Sequence, residues 1–364
     1  MFGNFFKIFK SAKNFIGVDV GTLNVKIVEM KLAGKTPLLK NYGSFSIPYS
    51  KDRYFKSFDG GGLLLSDHDL AKSIKEICEE AKIQTKDAIF SIPDFASFFT
   101  TLQLPIMGKD EISEAIKYEI RPYIPVPLSE ITLDWVITDG EPGKTPTKIL
   151  AVAIPNGIIS QYKEIAKISE LNLKMVEPEV FALVRSLRFS VKAEPGKNVL
   201  ALVDIGARST TCSILDQGIL KTSNSFNIGS GKFAESLSRN LNIDYNKAEE
   251  ALIKNGIILN SQDRANQYAF SSLLSSVDSL IDEIDRSMRS FFQTEGKDVN
   301  KIILTGGVAL MPGLKDYIFQ KLKKEAVIGN PFVNVSFNPI LAETLKEIGP
   351  SFGIAIGLAM KGIE

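Results

Sequence analysis

Two short segments of the chain share a pattern of residues that could bind phosphate. The first reads GVDVGTLNVK from Gly17 to Lys26, and the second reads LVDIGARSTT from Leu202 to Thr211. In each segment an apolar strand ends in Asp-x-Gly, small or polar residues follow, and a second strand begins. Because the two segments lie about half a chain length apart, the simplest prediction is a duplicated domain with one such hairpin in each half.

A pair of these hairpins facing one cleft has the chemistry to hold a magnesium-bound triphosphate. A glycine at a tight turn lets backbone N–H groups approach an anion with no side chain in the way. An aspartate repels phosphate but can hold a hydrated Mg²⁺ that neutralises it, and we expect this of Asp19 and Asp204. Lys26 could reach phosphate oxygens as a point charge. One hairpin alone would be an ordinary β-turn, so the prediction depends on the pair.

A third glycine-rich segment, LTGGVALMPG at 304–313, follows a predicted strand and precedes a predicted helix. Gly306 and Gly307 would let a flat base or a phosphate lie against the backbone, and Leu310 with Met311 could form an apolar wall for an adenine. Taken alone, the segment would be only a strand-to-helix turn. Neither GxxxxGK[ST] nor GxGxxG occurs, so P-loop and Rossmann folds lose support.

Composition excludes several other classes of protein. Lys and Arg number 43 against 42 Asp and Glu, a formal net charge of +1, so nothing indicates a nucleic-acid ligand. The two distant cysteines, Cys78 and Cys212, and the single histidine, His68, argue against a disulfide scaffold, a cysteine zinc site and most histidine chemistry. Apolar runs are far shorter than about 20 residues, so neither a transmembrane helix nor a secretory signal is expected. The Phe- and Lys-rich first 14 residues could touch an anionic membrane or dock on the domain, and docking is preferred.

The elements around the motifs predict an α/β protein with two lobes. Each aspartate hairpin opens one lobe, and the break at Glu194–Lys197 separates them. Strands, a short helix and a proline-rich run indicate a small α/β insert in the first lobe. The predicted divisions are a first lobe over 1–195 (core about 14–87 and 155–195, with a C-terminal helix at about 345–364), an insert over 88–154, and a second lobe over 196–344 (core about 196–230 and 297–344, helical part about 231–296).

In this order and spacing, the three motifs resemble the phosphate-1, phosphate-2 and adenosine motifs of the actin/Hsp70/hexokinase ATPase superfamily. The stretches SIPDFASFFTTLQLP and IKYEIRPYIPVPLSEITLDWVI indicate one family within this superfamily. They resemble the PilM family of type IV pilus assembly proteins, relatives of the division protein FtsA. The resemblance covers nearly the whole chain. It implies an actin-like ATPase fold, with two duplicated RNase H-like lobes around a nucleotide cleft and a small insert in the first lobe.

The resemblance also implies ATP and Mg²⁺ as ligands and carries over their site residue by residue. The first phosphate loop would be Asp19, Gly21, Thr22, Asn24 and Lys26; the second Asp204, Gly206, Ser209 and Thr210; the adenosine wall Gly306, Gly307, Val308, Leu310 and Met311. Asp19 and Asp204 would approach Mg²⁺ through water. The second loop departs from actin at Ala207 and Arg208, where actin has Asp-Gly, which makes this loop stiffer.

Two more assignments follow from the resemblance. Glu177-Pro178 matches an element whose glutamate positions the attacking water in bacterial actins, so Glu177 is the catalytic candidate. An equal alternative is a helix N-terminal acid favoured by the helix dipole, with Pro178 in the first turn. For the ribose, the candidates are Glu250, in Ala-Glu-Glu, and Gly231 with Lys232, although the family's following lysine is replaced by Leu252.

Members of the family are cytoplasmic, so the resemblance implies a protein associated peripherally with the inner membrane through its partners. They bind the N-terminal cytoplasmic tail of a PilN-like inner-membrane protein in a groove beside the insert. Phe95–Pro105 and Tyr118–Leu128 would line that groove and accept an extended peptide. The alternative is that Tyr118, Tyr123 and Ile124 pack only the core of the insert. Other pilus platform proteins are further expected partners, and a homo-oligomer is left open.

The resulting hypothesis is an ATP-binding adaptor whose lobes close on ATP and so alter its affinity for partners, with slow or absent turnover. One rival is a filament-former like FtsA or MreB. The other is a sugar or acid kinase of the same superfamily, which needs a catalytic aspartate beside a polar pocket. The predicted insert is largely apolar, and its aspartates are Asp94, Asp110, Asp134 and Asp139.

Overall fold

The structure is a computed structural model that describes residues 14–47, 66–190, 198–257 and 264–364, without the side chains of 264–270 and 272. The Phe- and Lys-rich start of the chain and the predicted boundary at Glu194–Lys197 lie outside the described residues. Among the helices described, none combines the length and the apolar character needed to cross a bilayer.

The first lobe is built on a five-stranded sheet in the order β3-β2-β1-β4-β8. Its strands are β1 (Asn14–Val20), β2 (Asn24–Ala33), β3 (Thr36–Ser46), β4 (Asp87–Ile92) and β8 (Asn172–Pro178). Strands β1, β2 and β3 pair antiparallel, whereas β4 and β8 run parallel to β1. The helices of this lobe are α1 (Asp67–Glu80), α3 (Asn156–Ile168), α4 (Glu179–Leu187) and the C-terminal α9 (Ala342–Ile363).

The C-terminal helix α9 lies against β1 and α4 of the first lobe. A Cβ on Gly17 of β1 would collide with the carbonyl oxygen of Ala355 and lie 2.6 Å from the nitrogen of Ala359. Only glycine allows this close approach. The strand that ends in Asp19 is therefore held by a helix from the far end of the sequence.

The second lobe repeats the sheet of the first, with strand order β11-β10-β9-β12-β13. Its strands are β9 (Val199–Ile205), β10 (Thr210–Asp216), β11 (Ile219–Phe226), β12 (Lys301–Thr305) and β13 (Glu325–Ile328). Again the first three strands are antiparallel and the next two are parallel to the first. Its helices are α5 (Ser230–Leu241), α6 (Tyr245–Asn255), α7 (Arg264–Glu295) and α8 (Leu314–Leu322).

The insert is a three-stranded sheet, in the order β5-β7-β6, covered by one helix. It consists of β5 (Phe98–Leu104), α2 (Lys109–Glu119), β6 (Ile131–Asp139) and β7 (Thr147–Pro155). Buried side chains such as Leu102, Ile112, Ile116 and Ile149 form its own core. The predicted insert began at Ala88, but β4 belongs to the first sheet, because its backbone pairs with β1 and β8.

The insert continues the chain of the first lobe but packs against the second. The Thr101 hydroxyl donates to the Lys221 carbonyl at 3.1 Å, and the Lys221 ammonium donates to the Thr138 carbonyl at 2.5 Å. Lys148 of β7 forms an ion pair with Glu295 at the end of α7, at 2.8 Å. A change in the angle between the lobes must therefore either strain these contacts or move the insert.

Candidate functional site

The two aspartate hairpins face a shared cavity of about 210 Å³. Asp19 and Lys26 are directly paired across β1 and β2, and Asp204 and Thr211 are paired in the same way across β9 and β10. Directly opposed residues of an antiparallel pair point to one face, so each hairpin presents its aspartate with its partner. Of the predicted site residues, the lining includes Asp19, Gly21, Thr22, Asn24 and Lys26 from the first hairpin and Asp204, Gly206 and Ser209 from the second.

The turns of the two hairpins have the same backbone hydrogen bond. The Gly21 N–H donates to the Asn24 carbonyl at 3.0 Å, and the Gly206 N–H donates to the Ser209 carbonyl at 3.0 Å. This identity of geometry supports the duplication that the sequence predicted. It also places both turns with their glycines at the cavity wall, where backbone N–H groups can meet an anion.

Asp19 is held in place by two neighbours. The Ser91 hydroxyl donates to Asp19 Oδ1 at 3.0 Å, and the Lys26 ammonium lies 3.9 Å from Asp19 Oδ2. Burial raises the pKa of Asp19, while the positive charge of Lys26 and the bond from Ser91 lower it. The carboxylate is thus oriented by the first lobe before any ligand arrives.

The glycine-rich segment after β12 passes directly beneath Asp204. Gly306 has a φ of +94°, and a Cβ there would lie 2.7 Å from Asp204 Oδ1 and would collide with the Ile205 carbonyl. Its N–H donates to the carbonyl of Pro350 in α9 at 3.0 Å, which ties this segment to the first lobe's helix. Gly307 and Val308 also line the cavity, as expected.

The predicted apolar wall is built from other residues. Leu310 is 48% exposed and Met311 is buried in the core of the second lobe, and neither lines the cavity. The chain turns back after Gly306, whose carbonyl accepts from the Ala309 N–H, and this carries the following side chains away. Apolar contact comes instead from Leu23, Leu252, Ile253 and Ile354, with Ser351 beside them.

The predicted catalytic residue, Glu177, lies outside the cavity, and Glu179, two residues later, lines it. Glu177 does not line the cavity: it makes a buried bidentate ion pair with Arg185, at 2.6 and 2.8 Å. Arg185 also donates to the Gly357 carbonyl of α9 at 2.8 Å. The strand becomes a helix at Pro178, so it is Glu179, the first residue of α4, that reaches the cavity.

In three other places a neighbour of the predicted residue lines the cavity. Thr210 is fully buried and donates to the Ile228 carbonyl at 2.7 Å, whereas Thr211, on the face of Asp204, lines the cavity. On α6 the lining acid is Glu249 and not Glu250, since successive helical residues point about 100° apart. Gly231 and Lys232 lie behind the wall that Ser230 forms, and the Gly231 N–H donates to the Ala207 carbonyl at 2.9 Å. A local pattern does not fix the rotation of a helix or strand, so the side chain that faces the cavity can belong to a neighbour of the predicted residue.

Asp94 is a site residue that the sequence analysis did not single out as one. It begins a single 3-10 turn after β4, and its N–H donates to Glu179 Oε2 at 3.2 Å. In return the Val180 N–H donates to Asp94 Oδ1 at 3.2 Å, while Asp94 Oδ2 is buried without a hydrogen-bond partner. The proline directly before each acid, Pro93 before Asp94 and Pro178 before Glu179, was the available signal, since proline marks a break between elements.

Asp94 therefore lies beside three carboxyl groups that line the cavity, those of Asp19, Glu179 and Asp204. Burial raises the pKa of Asp204 to about 7 and the pKa of Asp94 to about 8, and negative neighbours add to both. Burial also holds the pKa of Glu179 well above its usual range. Among the described residues that line the cavity, the cations are Lys26 and Arg208, so carboxyl groups outnumber positive side chains there.

These residues fit a magnesium-bound polyphosphate. A dication would relieve the repulsion among the carboxylates, and the orphaned oxygen of Asp94 shows that the protein alone does not satisfy them. Within the described ranges, no three Asp, Glu, His or Cys side chains are grouped as a ready-made metal site. Mg²⁺ is the ion that suits this arrangement, because it keeps several waters and takes few protein ligands when phosphate is present.

Comparison with known proteins agrees with this fold. The profile of a family described as type IV pilus assembly protein PilM matches residues 17–363. A solved PilM-PilN type IV pilus biogenesis complex has a chain 24% identical, with a TM-score of 0.82 over 98% of this chain and 100% of that one. The ethanolamine utilization protein EutJ from Carboxydothermus hydrogenoformans is 14% identical, with a TM-score of 0.55 over 96% of this chain and 90% of that one. MreB 5 of Spiroplasma citri bound to AMPPNP is 12% identical, with a TM-score of 0.53 over 96% of this chain and 95% of that one. The predicted actin-like ATPase fold is confirmed.

Proposed function

The chain belongs to the family of type IV pilus assembly proteins PilM, and from this premise we propose that it is an ATP-binding adaptor of a pilus assembly complex. In this proposal it works in the cytoplasm and is held at the inner membrane by the tail of a PilN-like protein. The single observation that carries the ATP-binding part is that Asp19 and Asp204, with their glycine turns, meet at one cavity.

The phosphates would lie between the two turns, where the backbone N–H groups beside Gly21 and Gly206 can bind them. Asp19 and Asp204 would hold the hydrated Mg²⁺, which supplies positive charge to the phosphates when bound. Lys26 adds a point charge on the first-lobe side, next to Asp19. The apolar residues of α6 and α9 at the opposite wall, Leu252, Ile253 and Ile354, suit the base.

Glu179 takes the place of Glu177 as the candidate for positioning an attacking water. It lines the cavity and is fixed by the Asp94 N–H, whereas Glu177 is committed to Arg185. Burial raises the pKa of Glu179, and a protonated carboxyl group is a weak general base because its oxygens are far less basic than those of a carboxylate. We therefore propose that turnover is slow, and that nucleotide binding, not hydrolysis, carries the function.

The insert offers the surface for the PilN-like tail. Tyr118 and Tyr123 are 63% and 58% exposed and so do not pack its core, whereas Ile124 does. Ile106, 58% exposed, adds an apolar side chain of the same insert. Phe95 is removed from the predicted groove, since its ring lines the nucleotide cavity. Exposed aromatic side chains around extended, proline-rich backbone suit an extended peptide.

The ATP-binding proposal is tested by calorimetric titration of the full chain with Mg-ATP. Asp204→Ala removes a carboxylate that faces the bound ion and should lower the affinity at least about 100-fold, roughly 3 kcal/mol. Glu250→Ala is the matched control, because Glu250 lies on α6 but outside the cavity, and it should change the affinity less than about twofold. Equal affinities for the wild type and Asp204→Ala would contradict the proposal.

A further inference from the structure

Arg208 is a nearly buried cation in the wall of the cavity. It lies in the turn of the second hairpin and is 9% exposed. Its guanidinium carbon is 4.1 Å from the centroid of the Phe95 ring, a cation–π contact between the two lobes' segments at the site. An arginine that stacks on an aromatic face directs its N–H donors along the plane of the guanidinium group.

The duplication supplies an internal comparison for this residue. In the first hairpin the corresponding position is Leu23, which is 8% exposed and lines the same cavity. Both turns close with the same 3.0 Å backbone bond from their glycine. The turn itself therefore does not require a cation at this position, and the apolar Leu23 fills it equally well.

The backbone around Arg208 is fixed, so the side chain is the adjustable part. The carbonyls of Gly206 and Ala207 accept from the first amides of α5, those of Ser230 and Gly231, each at 2.9 Å. The turn cannot shift without breaking the start of that helix. A long side chain on a fixed turn can exchange one partner for another at low cost.

Charge indicates which partner that would be. Lys26, the other cation in the wall, lies in the first lobe beside Asp19. Arg208 is therefore the positive side chain that the second lobe contributes to a cavity with four carboxyl groups. A planar guanidinium matches phosphate oxygens in a two-pronged geometry that a lysine cannot reproduce.

We propose that Arg208 binds the terminal phosphate of a bound nucleoside triphosphate, exchanging the Phe95 ring for phosphate oxygens, and so makes the site prefer a triphosphate to a diphosphate. The inference rests on the proposed nucleotide binding. Because Phe95 lies three residues before β5, in the turn Asp94–Ala96, the exchange also frees the segment that leads into the insert. The identity of the nucleotide is then passed from the cavity to the insert.

The test is calorimetric titration of the full chain with Mg-ATP and with Mg-ADP. Arg208→Leu copies the first hairpin and should weaken Mg-ATP binding about 10- to 100-fold, the effect of one charge-assisted bond, while Mg-ADP changes less than about threefold. Arg208→Lys should restore part of the preference. Phe95→Leu removes the competing ring and should leave Mg-ATP binding equal to the wild type or up to about fivefold tighter.

The two proposals fail in different ways. A wild type that binds neither nucleotide overturns the proposed function and this inference with it. A wild type that binds both, with Arg208→Leu weakening both equally or neither, overturns the inference alone. Arg208→Gln, which keeps length and hydrogen bonding but not charge, is measured in parallel and should lose the same preference if Arg208→Leu does not fold; an unchanged preference in Arg208→Gln overturns the inference.

Discussion

Two glutamates of the same short segment have different tasks in this protein. Glu177 is 3% exposed and neutralises Arg185, whose guanidinium also bonds the carbonyl of Gly357 in α9. Glu179 is aimed at the cavity and bonded by a backbone N–H. At the residue scale the first holds the C-terminal helix in place, and the second belongs to the site.

This difference predicts that two matched substitutions, one at each glutamate, change the free energy of unfolding by different amounts. Glu177→Gln removes the buried carboxylate that pairs with Arg185 at 2.6 Å and leaves the more distant Glu364 carboxylate, at 3.9 Å, so it should lower the free energy of unfolding by about 3 kcal/mol. Glu179→Gln keeps an acceptor for the Asp94 N–H and removes a carboxyl from an acidic cluster, so it should change that free energy by less than about 1 kcal/mol. Urea unfolding measures both. If Glu179→Gln destabilises the protein as much as Glu177→Gln, the division of tasks is wrong.

At the scale of elements, the turn after β12 is built from two adjacent glycines with different constraints. Gly306 has a positive φ and no space for a Cβ beside Asp204 and Ile205. Gly307 lines the cavity, and a Cβ there would meet no atom within 4 Å. The first glycine is needed for the path of the chain, whereas the second leaves the cavity open.

Alanine substitutions should separate these constraints. Gly306→Ala forces an unfavourable backbone conformation and a collision, and should cost at least about 2 kcal/mol of stability. Gly307→Ala should fold with a stability within about 0.5 kcal/mol of the wild type but weaken Mg-ATP binding about tenfold by narrowing the cavity. Thermal unfolding and calorimetry give the two readouts. Wild-type nucleotide affinity in Gly307→Ala would place the nucleotide elsewhere.

At the scale of the whole molecule, the insert connects the proposed peptide surface to the angle between the lobes. It is covalently part of the first lobe, yet Lys221 and the Lys148–Glu295 ion pair hold it to the second. That pair is mostly buried, with side-chain exposures of 27% and 15%, so it is screened less than a surface pair. Closure of the lobes should therefore be felt at the insert.

We expect Mg-ATP to change the affinity for a synthetic peptide of the PilN-like tail at least about fivefold, the lower end of typical coupling between sites. Lys148→Ala should bring the ratio of the peptide affinities with and without Mg-ATP towards one, because it loosens the insert from the second lobe. Lys174→Ala is the control, because its partner Asp87 lies in the same lobe at 3.2 Å, and it should leave the ratio unchanged. Fluorescence anisotropy of a labelled peptide measures all of these affinities.

The docking surface itself is checked in the same assay. Tyr118→Ala with Tyr123→Ala should weaken peptide binding about tenfold or more without loss of stability, since both rings are exposed. Phe319→Ala, an equally exposed aromatic on α8, should have no effect. If the tyrosine double variant bound the peptide as tightly as the wild type, the peptide would have to bind at another surface.

The sequence alone determined the local framework of this protein. Asp-x-Gly between two apolar strands predicted a hairpin, its repetition predicted a duplicated domain around a shared cleft, and the resemblance to a known family implied the actin-like fold. The sequence also predicted a short helix in the insert, and the structure has one, α2 over Lys109–Glu119. These features depend on contacts between residues close in the sequence, so a local pattern can specify them.

Tertiary structure decided which of several neighbouring side chains faces the cavity. Glu179 instead of Glu177, Thr211 instead of Thr210 and Glu249 instead of Glu250 differ by one or two positions from the predictions. A local pattern fixes the faces of an element relative to one another, but the face that meets the cavity depends on where a strand passes into a helix and how that helix packs. The stacking of Arg208 on Phe95 joins segments distant in sequence, and only packing across the cleft brings them together.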